Sequence, residues 1–184
     1  MGRINWKSLG RTVVFIDAAN LESSAKRLGW WIDYRRLYRF FKKQTQLAGM
    51  RHHGARFDNL RHEGFLTVLR RIGIESATKP LKVIKKSGQG KGAIRKANFD
   101  VEIAIDALQL VSFCDSLVLL SGDGDFEVLV KTLRAMRKKV IIVSTKHHIS
   151  KELIRASDQC LDLKKLKGKI VRRQKKSPPF SVGA

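Results

Sequence analysis

The sequence predicts an α/β fold with a mainly parallel central sheet covered by helices on both faces. Three observations predict it. Apolar, β-branched runs alternate with stretches of helical periodicity, the order expected of parallel strands joined by crossover helices. The strongest runs, Val13-Val14-Phe15-Ile16 and Leu117-Val118-Leu119-Leu120, are unbroken in apolar character, as strands buried on both faces must be. Both end abruptly near carboxylates: Asp17 after the first, Asp123 and Asp125 after the second. In open parallel sheets the working groups gather outside the carboxyl ends of the strands.

At 184 residues the chain is long enough to bury a full core and is expected to hold one domain. The expected division is an extension over 1–10, the domain over 11–163 and a basic tail over 164–184. Its 43% hydrophobic and 29% charged residues are those of a globular protein. No apolar run approaches the ~20 residues of a membrane span. Met1-Gly2-Arg3-Ile4-Asn5-Trp6-Lys7 lacks the apolar centre of a secretory signal. Cys114 and Cys160 sit far apart in apolar contexts and read as reduced, so a cytoplasmic protein is expected. The net charge of +22 and a pI near 10.6 demand a polyanionic partner. Nucleic acid is expected rather than a membrane, because no basic amphipathic helix stands out.

Residues 11–17 read as the first buried strand, and Asn20 is a natural N-cap for a short helix over 21–28. Asp33 opens a second helix over 34–43, with Leu37, Phe40 and Phe41 on its apolar face. Residues 49–58 alternate too weakly to be placed. A helix over 63–72 carries Phe65, Leu66, Leu69 and Ile72 at helical spacing. Residues 74–84 read as a strand that Pro80 confines to an edge or a bend. No acid occurs from Lys79 to Phe99, where Lys85, Lys86, Lys91, Arg95 and Lys96 accompany Gly88, Gly90 and Gly92. That stretch is read as a loop closing over phosphates.

A helix follows over 100–111, with Val101, Ala104, Ile105, Leu108 and Val111 as its core stripe. After the central strand comes a helix over 126–137, with Phe126, Leu129, Val130, Leu133 and Met136 inward. A strand over 139–144, a short helix over 150–156 and a short strand over 159–163 complete the pattern. Between Lys164 and Lys176 lie eight basic residues and no acid. This tail is expected to be disordered and to bind polyanions without specificity. If the chain instead serves as a basic DNA or ribosome scaffold through this tail, deleting 164–184 is expected to abolish binding and leave the folded core intact.

Only sixteen acidic residues occur in the chain, yet seven lie between Asp100 and Glu127. Two carboxylates about 4 Å apart repel by roughly 4 kcal/mol at an effective dielectric of 20. Either a cation sits between such groups or each caps a helix. Asp100 and Asp125 stand where caps are needed. Asp17 does not, because Asn20 already serves. A hard divalent ion such as Mg²⁺ or Mn²⁺ requires carboxylates of this kind, and the surrounding cations would bring a phosphodiester to it. Gly122 and Gly124 supply a permissive backbone for the tight exit from the strand. Helical geometry sets Asp106 opposite the core stripe, beside Glu102, where it reads as solvated.

Other chemistries lack their residues. Gly122-Asp123-Gly124-Asp125 has no third glycine for a dinucleotide fingerprint, and no GxxxxGK[ST] occurs. An aspartyl-phosphate enzyme would want a second Asp where Ala19 stands. His52-His53 and His147-His148 are too close in sequence for the usual zinc spacing.

Phe15-Ile16-Asp17-Ala18-Ala19-Asn20-Leu21, Asp100-Val101-Glu102-Ile103-Ala104-Ile105-Asp106 and Ser121-Gly122-Asp123-Gly124-Asp125-Phe126 together resemble the NYN domain, a branch of the PIN-like metal-dependent ribonucleases. The likeness extends over 12–163. It implies an α/β/α sandwich, a Mg²⁺ or Mn²⁺ site and RNA as substrate. By position it implies Asp17, Asp100, Asp123 and Asp125 as metal ligands, with Asn20 and Ser121 orienting them. Asp106 matches a further acidic position of the family. The resulting expectation is a hydrolase, an endoribonuclease, with Lys85, Lys86, Lys91, Arg95 and Lys96 holding the substrate backbone. RNA is favoured over DNA, no membrane is involved, and homodimerisation is left open. The alternative is a nucleic-acid-binding module that keeps the pocket without cleaving.

Overall fold

The computed structural model describes residues 4–80, 82–85, 93–96 and 98–172, with the backbone alone at 82–85 and 93–96. In chain order the strands are β1 (Arg11–Asp17), β2 (Gln46–Arg56), β3 (Glu75–Pro80), β4 (Lys82–Lys85), β5 (Ala93–Lys96), β6 (Ser116–Leu120), β7 (Lys139–Ser144) and β8 (Gln159–Asp162). The helices are α1 (Ala18–Arg27), α2 (Tyr34–Gln44), α3 (Leu60–Ile72), α4 (Asp100–Leu110), α5 (Glu127–Ala135), α6 (Lys151–Ala156) and α7 (Lys167–Ile170). Six strands form an all-parallel sheet in the order β3-β2-β1-β6-β7-β8, and β4 pairs with β5 antiparallel. The chain winds from β1 out to β3, returns through α4 to β6, and winds the other way to β8. β1 and β6 therefore lie side by side while their connections diverge, which opens a crevice beyond their carboxyl ends.

Alternate residues along each strand feed two separate cores, as the period of two requires. Val14, Ile16, Val118 and Leu120 pack with Leu21 of α1, Leu37 and Phe41 of α2 and Leu69 of α3. Val13, Phe15, Leu117 and Leu119 pack on the other face with Ile103 of α4, Leu133 of α5 and Leu153 of α6. The expected layered α/β architecture is what forms.

Several local expectations change. Residues 49–58 belong to a full strand, because β2 lies inside the sheet between β1 and β3 and is supported from both sides. The single strand expected over 74–84 breaks at Pro80: β3 is the sheet edge, where a missing N–H costs nothing, and β4 joins the hairpin. The basic stretch is thus a paired ladder at its two ends, with Lys82 opposite Lys96 and Lys85 opposite Ala93. Lys86, Lys91 and the glycines 88, 90 and 92 lie outside the described residues.

The core stripe expected for α4 is wrong for three of its members. Val101, Ile105 and Leu108 are 68%, 50% and 41% exposed, whereas Ile103 and Ala107 are buried. The helix is apolar on nearly every face, so periodicity cannot choose which side meets the sheet. Met136 likewise is exposed, one residue past the end of α5.

Residues 4–9 and 164–171 both pack onto the fold. Ile4 and Leu9 are buried, and Trp6 packs edge-on against Phe40 and Phe41. The tail does not come loose at Lys164. Leu166 and Ile170 enter the first core, and Val171 bridges to Ile32. Residues 173–184 lie outside the described residues. Cys114 and Cys160 are buried and unpaired. Among the described residues no helix is long and apolar enough to cross a membrane.

Candidate active site

At the crevice the exits of β1 and β6 are stitched together by side chains. Asp17 is the N-cap of α1: its Oδ1 accepts from the Asn20 N–H at 3.2 Å. Asn20 is therefore not the cap, and its side chain is used elsewhere, with Oδ1 accepting from the Gly122 N–H at 3.0 Å. Ser121 Oγ donates to Asp17 Oδ2 at 2.9 Å and accepts from the Asp123 N–H at 3.2 Å. Asp123 in turn caps the short 3-10 turn Gly124–Phe126, accepting from the Asp125 N–H. Asp100 opens α4, and its N–H donates to Asn98 Oδ1 at 2.9 Å. Capping by Asp123 removes that duty from Asp125, and Asp100 is the first residue of its helix rather than the cap, which is Phe99.

Gly122 is needed for room rather than for an unusual backbone angle. Its φ is not positive, but a Cβ there would run into the His148 carbonyl and Ser144 Oγ. Only a bare backbone lets the β6 exit pass beneath the loop before α6.

Asp17, Asp100, Asp123 and Asp125 line one cavity of about 560 Å³. Asp100, Asp123 and Asp125 can each present a carboxylate oxygen so that all three lie within 4.8 Å of one another. Asp17 lines the same cavity but stands outside that close trio. Burial pushes its carboxyl above the usual range, and the charges of Asp100 and Asp123 push the same way against the hydrogen bonds from Asn20 and Ser121. Three hard oxygen donors at this separation suit an oxygen-loving divalent ion better than a zinc set of Cys and His.

Asp106 is not part of the cavity. Its Oδ2 meets His53 Nε2 at 2.8 Å and Arg51 at 3.0 Å, and Arg51 also pairs with Glu75 at 2.9 Å. That network ties α4 to β2 and β3. Lys79, from the basic stretch, pairs with Glu102 at 2.6 Å. The side chains of Lys85, Lys86, Lys91, Arg95 and Lys96 lie outside the described residues.

The cavity also holds residues that sequence reasoning missed. Arg27 and His148 line it, 2.7 Å apart between guanidinium and Nε2, and Ser24 Oγ lies 2.9 Å from Nδ1. A guanidinium only donates, so Nε2 must accept, and Nδ1–H donates to Ser24. Burial, then the charge of Arg27, lowers the His148 pKa and keeps it neutral. No sequence signal joins these groups, which lie more than a hundred residues apart.

An all-parallel, doubly wound sheet with a carboxylate-lined crevice at its switch point defines the class, a PIN-like α/β protein. The NYN domain model matches residues 11–164, and the chain belongs to the NYN domain family. It is 32% identical over 174 residues to the low amplitude and bright protein LabA of Synechococcus elongatus, covering 94% of each chain. A crystal structure of a protein of unknown function from Vibrio parahaemolyticus is similar with a TM-score of 0.72 at 21% identity, over 94% of this chain and all of that one. At that identity the likeness speaks for the fold alone.

Proposed function

We propose that the protein is a metal-dependent endoribonuclease that hydrolyses RNA phosphodiesters at the crevice between β1 and β6. The observation that carries this reading is the trio Asp100, Asp123 and Asp125, within 4.8 Å of one another in a chain of net charge +22. A cation between these close carboxylates would relieve their mutual repulsion, and so basic a chain draws a polyanion to them. These three residues would hold Mg²⁺ or Mn²⁺. When bound, such an ion activates water and neutralises charge building on the phosphoryl group.

The protein's own groups do the rest. Ser121 and the Asn20 N–H hold Asp17 behind the trio, adding negative charge without crowding the ligands. Asn20 fixes the Gly122 backbone, and with it the direction of Asp123. Arg27, held by His148, offers the cation at the cavity rim that orients the phosphodiester. Lys85, Lys86, Lys91, Arg95 and Lys96 supply further backbone contacts. Membership of a family with a nuclease fold supports the reading, and RNA is preferred to DNA on the family resemblance.

The test is cleavage of end-labelled single-stranded RNA with Mg²⁺, with Mn²⁺ and with excess chelator. Cleavage is expected with either ion and absent with chelator. Asp123→Asn is expected to slow it by more than the ~10–100-fold that loss of a merely supporting partner costs. Cleavage indifferent to chelator and substitution overturns the reading, and metal-independent RNA binding without cleavage favours a binding module.

A further inference from the structure

A second cavity adjoins the acidic one along α1. It measures about 440 Å³, and its lining includes Glu22, Lys26, Trp30, Trp31 and Tyr34. The two cavities share Ala19 and Ser23, one helical turn apart, so only small side chains separate them. The aromatic groups divide their duties. Trp30 is buried in the core with Lys167 Nζ 5.1 Å from its ring centre, while Trp31 leaves 70% of its surface to solvent. The backbone beneath Trp31 is held: its carbonyl accepts from the Arg172 N–H at 2.9 Å, and the neighbouring Ile32 bridges to Val171. An exposed indole on a fixed backbone is a stacking platform rather than a fraying end.

The charges beside it say what kind of ligand fits. Tyr34 donates its hydroxyl to Glu22 at 2.7 Å within this cavity, and the carboxylate repels phosphate while accepting N–H donors. The cations stand on the last turn of α1, with Arg27 at the acidic cavity and Lys26 at the aromatic one. A polyanionic backbone crossing that turn meets a cation on each side, and an aromatic face with an acceptor lies below. Because the two cavities adjoin along Ala19 and Ser23, the occupant is a neighbour of the reacting phosphate and not the reacting nucleotide itself.

We infer that Trp31 and Glu22 form a base-stacking subsite for an unpaired nucleotide next to the scissile phosphate, which makes the site selective for single-stranded RNA. This rests on the ribonuclease reading above, and the experiment separates the two. Short RNAs carrying 2-aminopurine at successive positions are titrated with the full chain in excess chelator at 150 mM salt, alongside a duplex of the same sequence. Quenching is expected at one or two adjacent positions of the single strand. Trp31→Ala is expected to abolish that quench and weaken single-strand binding about tenfold, within the range for one base–aromatic stack. Trp31→Phe should restore most of it, and duplex affinity should change less than about twofold.

Unchanged quenching in Trp31→Ala overturns the subsite, as does an equal loss on single strand and duplex. So does a self-association that Trp31→Ala abolishes with RNA binding intact, which would assign the indole to a second copy of the chain. If the wild type shows the Trp31-dependent quench yet never cleaves with Mg²⁺ or Mn²⁺, the subsite stands and the hydrolase reading falls. If it cleaves and Trp31→Ala matches it in quench and KM, the reverse holds.

Discussion

One carboxylate, that of Asp17, closes the first helix with one oxygen and takes the Ser121 hydroxyl with the other. Burial raises its pKa, so the folded chain holds this proton more tightly than the unfolded one. Stability from this group falls as pH rises from 3.8 through its native value, and at neutral pH its charge opposes folding. Asp17→Asn keeps an oxygen for the cap and is expected to melt higher than the wild type without metal at pH 7. In a thermal-shift assay Mn²⁺ should raise the wild-type melting temperature. Asp100→Asn, Asp123→Asn and Asp125→Asn should each lose that response, and Asp17→Asn should keep part of it. An equal loss in all four variants would place Asp17 among the ligands. His52 runs the opposite way. Burial lowers its pKa from 6.5 to about 4, and neither ring nitrogen has a partner among the described residues. The unfolded chain takes up this proton first, so stability should fall by about 3 kcal/mol as pH drops from 6.5 towards 4. His52→Phe should flatten that slope in urea melts at several pH values.

Among the elements, the exit of β6 is the least forgiving. Gly122→Ala would push a methyl group into the His148 carbonyl and Ser144 Oγ. We expect a loss of about 2 kcal/mol from overpacking, seen as a melting temperature about 5 °C lower. The Mn²⁺ response should go with it, because Asn20 can no longer hold the Gly122 N–H. Sequence reasoning placed this turn correctly but for a different reason, backbone freedom in place of space. At α4 it failed for a physical reason. Asp-Val-Glu-Ile-Ala-Ile-Asp-Ala-Leu-Gln-Leu has apolar side chains on several faces, so either of two stripes can face a sheet. The sheet took Ile103 and Ala107. The ion pairs of Asp106 with Arg51 and His53 accompany that choice, and the carboxylate that looked solvated became a brace.

At the scale of the whole molecule, the first part of the tail, residues 164–172, belongs to the fold. Leu166 and Ile170 are buried, and each contributes about 2 kcal/mol. Deleting 164–184 should therefore destabilise the domain by about 4 kcal/mol, contrary to the expectation from composition. Deleting 173–184, which carries Arg173, Lys175 and Lys176, should lower RNA affinity. With +22 net charges the full chain should bind RNA with steep salt dependence. Six phosphate contacts would cost about a thousandfold between 50 and 200 mM. The shorter chain should show a shallower slope in the same anisotropy titrations.

The sequence by itself determined the class of fold, the edge of the sheet at which the acids gather, and the strongly basic charge. Those follow from short-range periodicity, chain-end chemistry of the strands and net charge. Only the tertiary structure decided which acids meet closely, which one braces α4, and which tryptophan is left in solvent. Parallel register sets residues a hundred positions apart side by side. Asp17 and Ser121 are neighbours because β1 lies against β6, and Trp31 is exposed because the chain after α1 turns outward where Trp30 turns in. No local pattern encodes either pairing.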